Sequence, residues 1–382
     1  MHKSILFFLL LLYVCAFSQN KKKQTEFSTQ KNETNYVSLK AENWEFKPQA
    51  VEFLEYKSRP VMKLLTSDAP VILKNVNFSS GTVEYDMEPL DPRFTSFYFR
   101  WQDSRENECF YFRTARAGNP QAIDAIQYAP FLDGVNLWDM LFHFQTNADF
   151  KKNDWNKVKL VISGKQMRAY VNDMMHPALE VSMLEGNVNS GTLAFDGQVI
   201  ISNLQVKYNA VEGLAPEAGI DPMASDPRFL RKWQVSEPII TAQNIDFSYE
   251  YIPNAETKWA DISAERRGLI DLTRRFGKTD GRRIVWLKTN INSDKIQDKM
   301  LRFGFSDEVW VIINQKPLYV DKNLYNTPMA KQPDGRCSIE NTSFNIPLQV
   351  GDNQLMVGVT NFFYGWGIVA RLDNLDGIRI EK

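Results

Sequence analysis

From Trp44 onward the chain is a succession of short segments alternating apolar and polar residues. This period of two constrains the fold more than any other feature. "VEFLEY", "PVILKN", "GTVEYDME", "TSFYFRWQ", "NECFYFRT", "AIDAIQYA", "WNKVKLVIS", "QMRAYVN", "GTLAFDG" and "VIISNLQVKY" follow one another in this way. They are rich in β-branched and aromatic residues, which suit a pleated, half-buried surface. The breaks between them carry turn residues, as in "EPLDP", "DSREN" and "SGKQ". Hardly any stretch has the 3.6-residue spacing of an amphipathic helix. Many short strands punctuated by turns predict a β-sandwich.

The stretch "YNAVEGLAPEAGIDPMASDPR" interrupts the pattern with Pro216, Pro222, Pro227, Gly213 and Gly219, as a connection between domains does. A second series of strand-like segments follows, among them "RRIVWLKTNI", "VWVIINQ", "NQLMVGVTNF" and "WGIVARL". The expected organisation is all-β, with two β-sandwich (jelly-roll) domains in tandem. The first spans 43–208, the linker 209–228 and the second sandwich 229–382, with no internal repeat between the halves. A length of 382 residues fits two domains. At 43% hydrophobic and 13% aromatic residues the chain can fill two cores. Its 45 Lys+Arg balance 46 Asp+Glu with no basic stripe, so nucleic acid is not an expected partner.

The N-terminus reads as a cleavable signal peptide over 1–18. Lys3 supplies charge, an apolar run covers Ile5 to Val14, and Ala16-Phe17-Ser18 offers small residues before Gln19. The run is too short for a membrane span, and no later stretch reaches the roughly 18 apolar residues that one needs. Cys15 would suit a lipid anchor only behind a small residue, and Val14 is bulky. A secreted, periplasmic or cell-surface location is expected, with a loose polar segment over 19–42. Cys109 and Cys337 then remain, far apart, as one interdomain disulfide or as two buried free thiols.

Only His143 and His176 survive processing, and no Gly-x-Ser-x-Gly elbow or Gly-rich phosphate loop is present. Histidine zinc sites, Ser-His-Asp hydrolysis and nucleotide chemistry of the usual kinds are not expected. Asp and Asn are frequent in loops, and a structural Ca²⁺ would suit them, but no EF-hand spacing occurs. No cofactor or metal is expected.

"TVEYDMEP" places Glu84, Asp86 and Glu88 on one face of a strand and Val83, Tyr85 and Met87 on the other. Three buried, unpaired carboxylates would be very costly, so their face is wet or paired. Nearby strands offer a second set: Tyr98, Arg100, Tyr111, Arg113 and Gln127, with Trp138 as a stacking platform or a core residue. If they share the face of Glu84 and Asp86, a mixed charged and aromatic groove results. Such a surface suits sugars: charged and amide groups bond hydroxyls, and rings meet the C–H face of a pyranose. In the second half, "NFFYGWG" sets Phe362, Phe363, Tyr364 and Trp366 near a loop, as an exposed aromatic site or as core packing. The arginines of "ERRGLIDLTRRFG" would meet acidic glycans or form a solvated turn.

"FSSGTVEYDME", "FYFRWQDSRENECFYFRT", "DAIQYAP", "NDWNKVKLVISGKQMRAYVND" and "GTLAFDGQVIISNLQVK" together resemble the concanavalin A-like (laminin-G-like) jelly-roll superfamily over about 45–208. Within it, "YFR…IQYAP…LW" is similar to domains grouped with 3-keto-disaccharide hydrolases. In family-16 glycosidases of this fold, a Glu-x-Asp-x-Glu strand does retaining hydrolysis. The resemblance would make Glu84 the nucleophile, Glu88 the acid/base and Asp86 their orienting partner. The carboxyls would need to stand about 5–5.5 Å apart, whereas i and i+4 on a flat strand lie roughly 13 Å apart at Cα. Pro89 ends the strand directly after Glu88, and the family's aromatic lead-in is absent. The second half resembles galactose-binding-like jelly rolls through "KWQVSEP", "GLIDLTRRFG", "FGFSDEVWVIINQKPLYV", "LQVGDNQLMVGVTN" and "WGIVARL", with Asn314-Gln315 where the family often has Asn-Gly. The expected function is non-catalytic carbohydrate binding through the concave face of the first sandwich, with a glycan or oligosaccharide as partner. A glycoside hydrolase or disaccharide-cleaving enzyme, and a protein-binding or structural surface module, are the alternatives.

Overall fold

The computed structural model describes residues 34–242, 248–277, 281–361 and 363–381. The expected signal peptide, Cys15 and Phe362 lie outside the described residues. The chain is all-β, with two antiparallel sandwiches in tandem. In the first, one sheet runs in the order Leu179–Val181, Gln166–Val171, Asn156–Ser163, Gly81–Pro89, Val199–Tyr208, Arg59–Leu64, Val51–Tyr56. The facing sheet runs Gln145–Thr146, Ile126–Tyr128, Glu108–Arg113, Phe94–Trp101, Thr192–Asp196, Val71–Leu73, Trp44–Glu45. Thr34–Tyr36, within the segment expected to be loose, instead pairs with Val199–Tyr208.

The period of two builds the core directly. Val83, Tyr85 and Met87 point inward from Gly81–Pro89, and Phe97, Phe99, Phe110 and Phe112 meet them from the facing sheet. The Tyr85 ring lies edge-on to Phe195 at 5.1 Å and tilted on Phe97 at 5.5 Å. Each such fully buried apolar side chain contributes about 1.5–3 kcal/mol.

The second sandwich has a large sheet in the order Trp259–Ser263, Lys232–Ser236, Arg283–Ser293, Gly351–Asn361, Glu308–Ile313, Lys316–Lys322. Its smaller sheet is Leu269–Asp271, Gly367–Leu372, Gln297–Ser306, Thr342–Leu348. One short α-helix, Leu272–Phe276, is capped by the Asp271 carboxylate, which accepts from the Arg274 N–H at 3.0 Å.

The two sandwiches share an apolar seam. Phe229, Leu269, Cys337 and Val369 of the second half pack into the same buried cluster as Met140 and Leu141 of the first. The connector is docked too: the Lys165 N–H donates to the Pro216 carbonyl at 2.8 Å, and the Gly219 N–H to Ser182 at 2.7 Å. The arginines of "ERRGLIDLTRRFG" brace this seam. Arg266 donates to the Gly219 and Ile220 carbonyls, and Arg274 to Glu185 and Asn187. Cys109 and Cys337 are both buried free thiols. No helix among the described residues is long and apolar enough to cross a membrane.

Candidate functional site

The carboxylate trio lies on the outer face of the first sheet, and each member has its own cation. Glu84 accepts from Lys207 at 2.5 Å with Lys157 at 3.4 Å. Asp86 accepts from Arg59 at 3.1 Å and from the Asn203 amide at 2.6 Å. Glu88 accepts from Lys57 at 2.8 Å and from the Tyr56 hydroxyl at 3.2 Å. Partial burial raises the Glu84 pKa, but the Lys207 bond and the charges of Lys207 and Lys157 outweigh it. Its carboxyl is held below the usual range.

The aromatic and arginine set does not share that face. It sits on the facing sheet, on the opposite side of the sandwich, so the expected joint groove with Glu84 and Asp86 is corrected. Both sets point away from the common core, as alternation requires of the outward residues of two stacked sheets. Tyr98, Tyr111 and Arg113 alternate outward along Phe94–Trp101 and Glu108–Arg113. Behind them the fully buried Gln127 ties the floor together. Its carbonyl accepts from the Tyr111 hydroxyl at 2.7 Å and from Arg113 at 2.8 Å, and its amide donates to the Trp138 carbonyl at 2.7 Å. Burial pushes the Tyr111 hydroxyl well above its ordinary pKa, so it stays protonated and donates.

Arg100 is the exception. A bulge against Thr192–Ala194, with Arg100 at φ 52°, reverses the parity of the strand. Trp101 takes the outward side beside Tyr98, and the Arg100 guanidinium turns inward to donate to the Ser79 carbonyl at 3.0 and 2.7 Å and the Gly164 carbonyl at 2.7 Å. There it stands 3.9 Å from the buried Glu108, whose carboxylate accepts from the Tyr128 hydroxyl at 2.6 Å. Burial raises Glu108 from its usual 4.5 to about 7, against the opposing pull of Tyr128 and Arg100. Arg100 is therefore a core residue.

Tyr98, Tyr111, Arg113 and Trp138 line one cleft of about 510 Å³, and the second sandwich closes its other side with Tyr325, Phe363 and Tyr364. Trp138 is wedged rather than open: Tyr325 stands edge-on at 4.7 Å, Tyr364 at 5.8 Å, and the Arg336 guanidinium lies 5.1 Å from its ring. It is 8% exposed, so the rings free to meet a ligand are Phe94, Tyr364, Phe363 and Tyr325, at 51%, 45%, 40% and 39%. Of the aromatic run in the second half, Phe363 and Tyr364 reach the cleft, while Trp366 is fully buried in the core.

Asp68 and Asp196 sit at the rim. Burial raises the Asp196 carboxyl, partly offset by the N–H groups of Gly197 and Ala69, and the negative charge of Asp68 adds to the rise. Sequence reasoning missed Asp68, Phe94, Phe131, Asn136, Asp196 and Tyr325. Phe94 and Asp196 end strands already recognised and carried a signal of position; Tyr325 stands in a loop with none. Among the described residues, no group of three or more His, Cys, Asp or Glu side chains could hold a metal.

No family model matches the sequence, and no curated protein matches it. Solved structures match about half of the chain. A carbohydrate-binding module from Bacillus subtilis aligns at TM-score 0.30 and 12% identity, over 44% of this chain and 93% of that one. The β-glucanase of Bacillus licheniformis aligns at 0.32 and 11%, over 46% and 96%. Domain 4 of an extracellular arabinanase from Geobacillus stearothermophilus, in complex with arabinotriose, aligns at 0.29 and 12%, over 47% and 82%. At these scores and identities the likeness decides nothing about what this chain binds.

Proposed function

We propose that the chain is a secreted or cell-surface carbohydrate-binding protein that holds a glycan in the cleft between its two sandwiches. One observation carries this reading: exposed rings from both halves border a single cleft whose floor is a hydrogen-bonded polar network. Phe94 and Tyr364 offer apolar faces to sugar C–H groups, while Arg113 and Asp68 offer a donor and an acceptor for hydroxyls. Gln127 fixes Tyr111, Arg113 and the Trp138 backbone before any ligand arrives, which lowers the cost of ordering them. The second sandwich, which we read as galactose-binding-like, then contributes directly to the site.

A hydrolytic reading would draw on Asp68 and Asp196, two carboxyls that line the same cleft. Titration calorimetry of the protein against an oligosaccharide panel, with chromatography of the same samples, separates the two. Binding without new saccharides supports recognition. New saccharides that vanish in Asp196→Asn would make the cleft catalytic. No binding and no products across the panel would sink both readings in favour of a protein-interaction module.

A further inference from the structure

The large sheet of the second sandwich faces away from the seam, because the smaller sheet, through Leu269 and Val369, is the one that packs on the first half. Two adjoining cavities run over its outer side. One, of about 550 Å³, is bordered by Gln234, Asp261, Lys288, Asn290 and Gln354. The other, of about 340 Å³, is bordered by Trp259, Tyr249, Lys288, Gln315 and Gln354. Lys288 and Gln354 belong to both, so the two form one groove.

The strand register explains the groove. Gln234 pairs with Asp261 on one side and Lys288 on the other, and Asn290 pairs with Gln354. These residues therefore run in rows across four neighbouring strands, about 14 Å at the usual strand spacing. That is the length of a short oligosaccharide rather than of a single ring. Trp259 is half-buried at the sheet edge, its indole fixed by the Lys288 ammonium 4.0 Å from the ring centroid. Beside this plate lie exposed amides: Gln234, Asn290, Gln315 and Gln354. Each carries both donors and acceptors, which matches the hydroxyls of a sugar. The charges cancel, Lys232 and Lys288 against Asp261 and Glu381, so the groove selects neither an anionic nor a cationic chain.

We propose that this groove is a second carbohydrate site, specific for a neutral oligosaccharide chain laid across the strands with one ring stacked at Trp259. It is independent of the interdomain cleft. The chain would then be bivalent, and two weak sites on one body raise the avidity for a polymeric ligand without any new contact.

The test is affinity electrophoresis and titration calorimetry of the whole protein with laminarin, dextran, mannan and xylan as probes. Trp259→Ala, Gln354→Ala and Tyr364→Ala are compared, with far-UV circular dichroism confirming the fold. Gln354 is exposed, so its variant guards against a folding artefact at Trp259. At least one probe should bind the wild type at two sites. Trp259→Ala and Gln354→Ala should each weaken one site more than tenfold and leave the Tyr364-dependent site intact. The groove is refuted if no probe binds, if Tyr364→Ala alone removes all binding, or if both groove variants match wild type in affinity and stoichiometry. Loss in the groove variants with no effect of Tyr364→Ala would overturn the cleft reading and leave the groove standing.

Discussion

The two outer faces of the first sandwich arise from the same alternation and behave in opposite ways. On one, Glu84 meets Lys207 from the adjacent strand, Asp86 meets Arg59 from the strand beyond it and Glu88 meets Lys57 from a turn, so every carboxylate of the row has a cation. On the other, Tyr111 and Arg113 bond a buried glutamine, and with Tyr98 they line a cleft that a second domain closes. A row of carboxylates can be matched one by one by nearby cations, as this one is. Amphipathic aromatics cannot be neutralised in that way and need either another surface or a ligand.

The largest expected effect tests which side of this contrast Arg100 belongs to. Arg100→Ala leaves the Ser79 and Gly164 carbonyls without their buried donor and opens a cavity in the core, and should cost about 3–5 kcal/mol of stability in urea unfolding. A stability change under 1 kcal/mol with lost glycan binding would instead return Arg100 to the cleft. Next comes pH. Glu108 holds its proton more tightly in the folded state, up to about 7, than in the unfolded chain. Its contribution is therefore full below the ordinary carboxyl range and lost as pH rises to about 7, by up to about 3 kcal/mol. Glu265, raised to about 7 mainly by burial and next by Asp271, has the same sign. Glu84, held low by its lysines, has the opposite sign and loses its contribution as pH falls. Thermal melts between pH 4 and 8 should show Glu108→Gln flattening part of the fall; an unchanged slope would contradict the assignment.

A smaller effect is expected at the cleft mouth. Tyr364→Ala should weaken glycan binding about tenfold, or ~1.4 kcal/mol, with little change in melting temperature, because the ring is 45% exposed. The smallest is Glu84→Gln, with about 0.2–1 kcal/mol lost from a surface pair and no change in glycan affinity. A large binding defect there would break the contrast between the two faces.

Much of the architecture was legible in the sequence because β-alternation is a local code. Val83, Tyr85 and Met87 had to point opposite to Glu84 and Asp86, and they do. Two things were not local. Arg100 obeys the alternation on paper, but one residue at positive φ in a bulge cancels it, and nothing in "FYFRWQ" announces that. Which sheet carries which residues is a matter of topology: Gly81–Pro89 and Phe94–Trp101 are consecutive in sequence yet lie in opposite sheets. Adjacency in the chain suggested a shared face that the crossover removes. The part played by Tyr325 was out of reach for a similar reason, since a loop residue acquires its role only when another domain arrives.

The seam at Phe229, Leu269, Cys337 and Val369 bears on how this protein can be taken apart. Severing the chain at the connector would give two fragments, each with a raw apolar surface where the other half had been. Neither would behave as a soluble module, and limited proteolysis should find no stable half-size product. The sandwiches are two folds by topology and one body by cohesion, so a calorimeter should record a single unfolding transition for both.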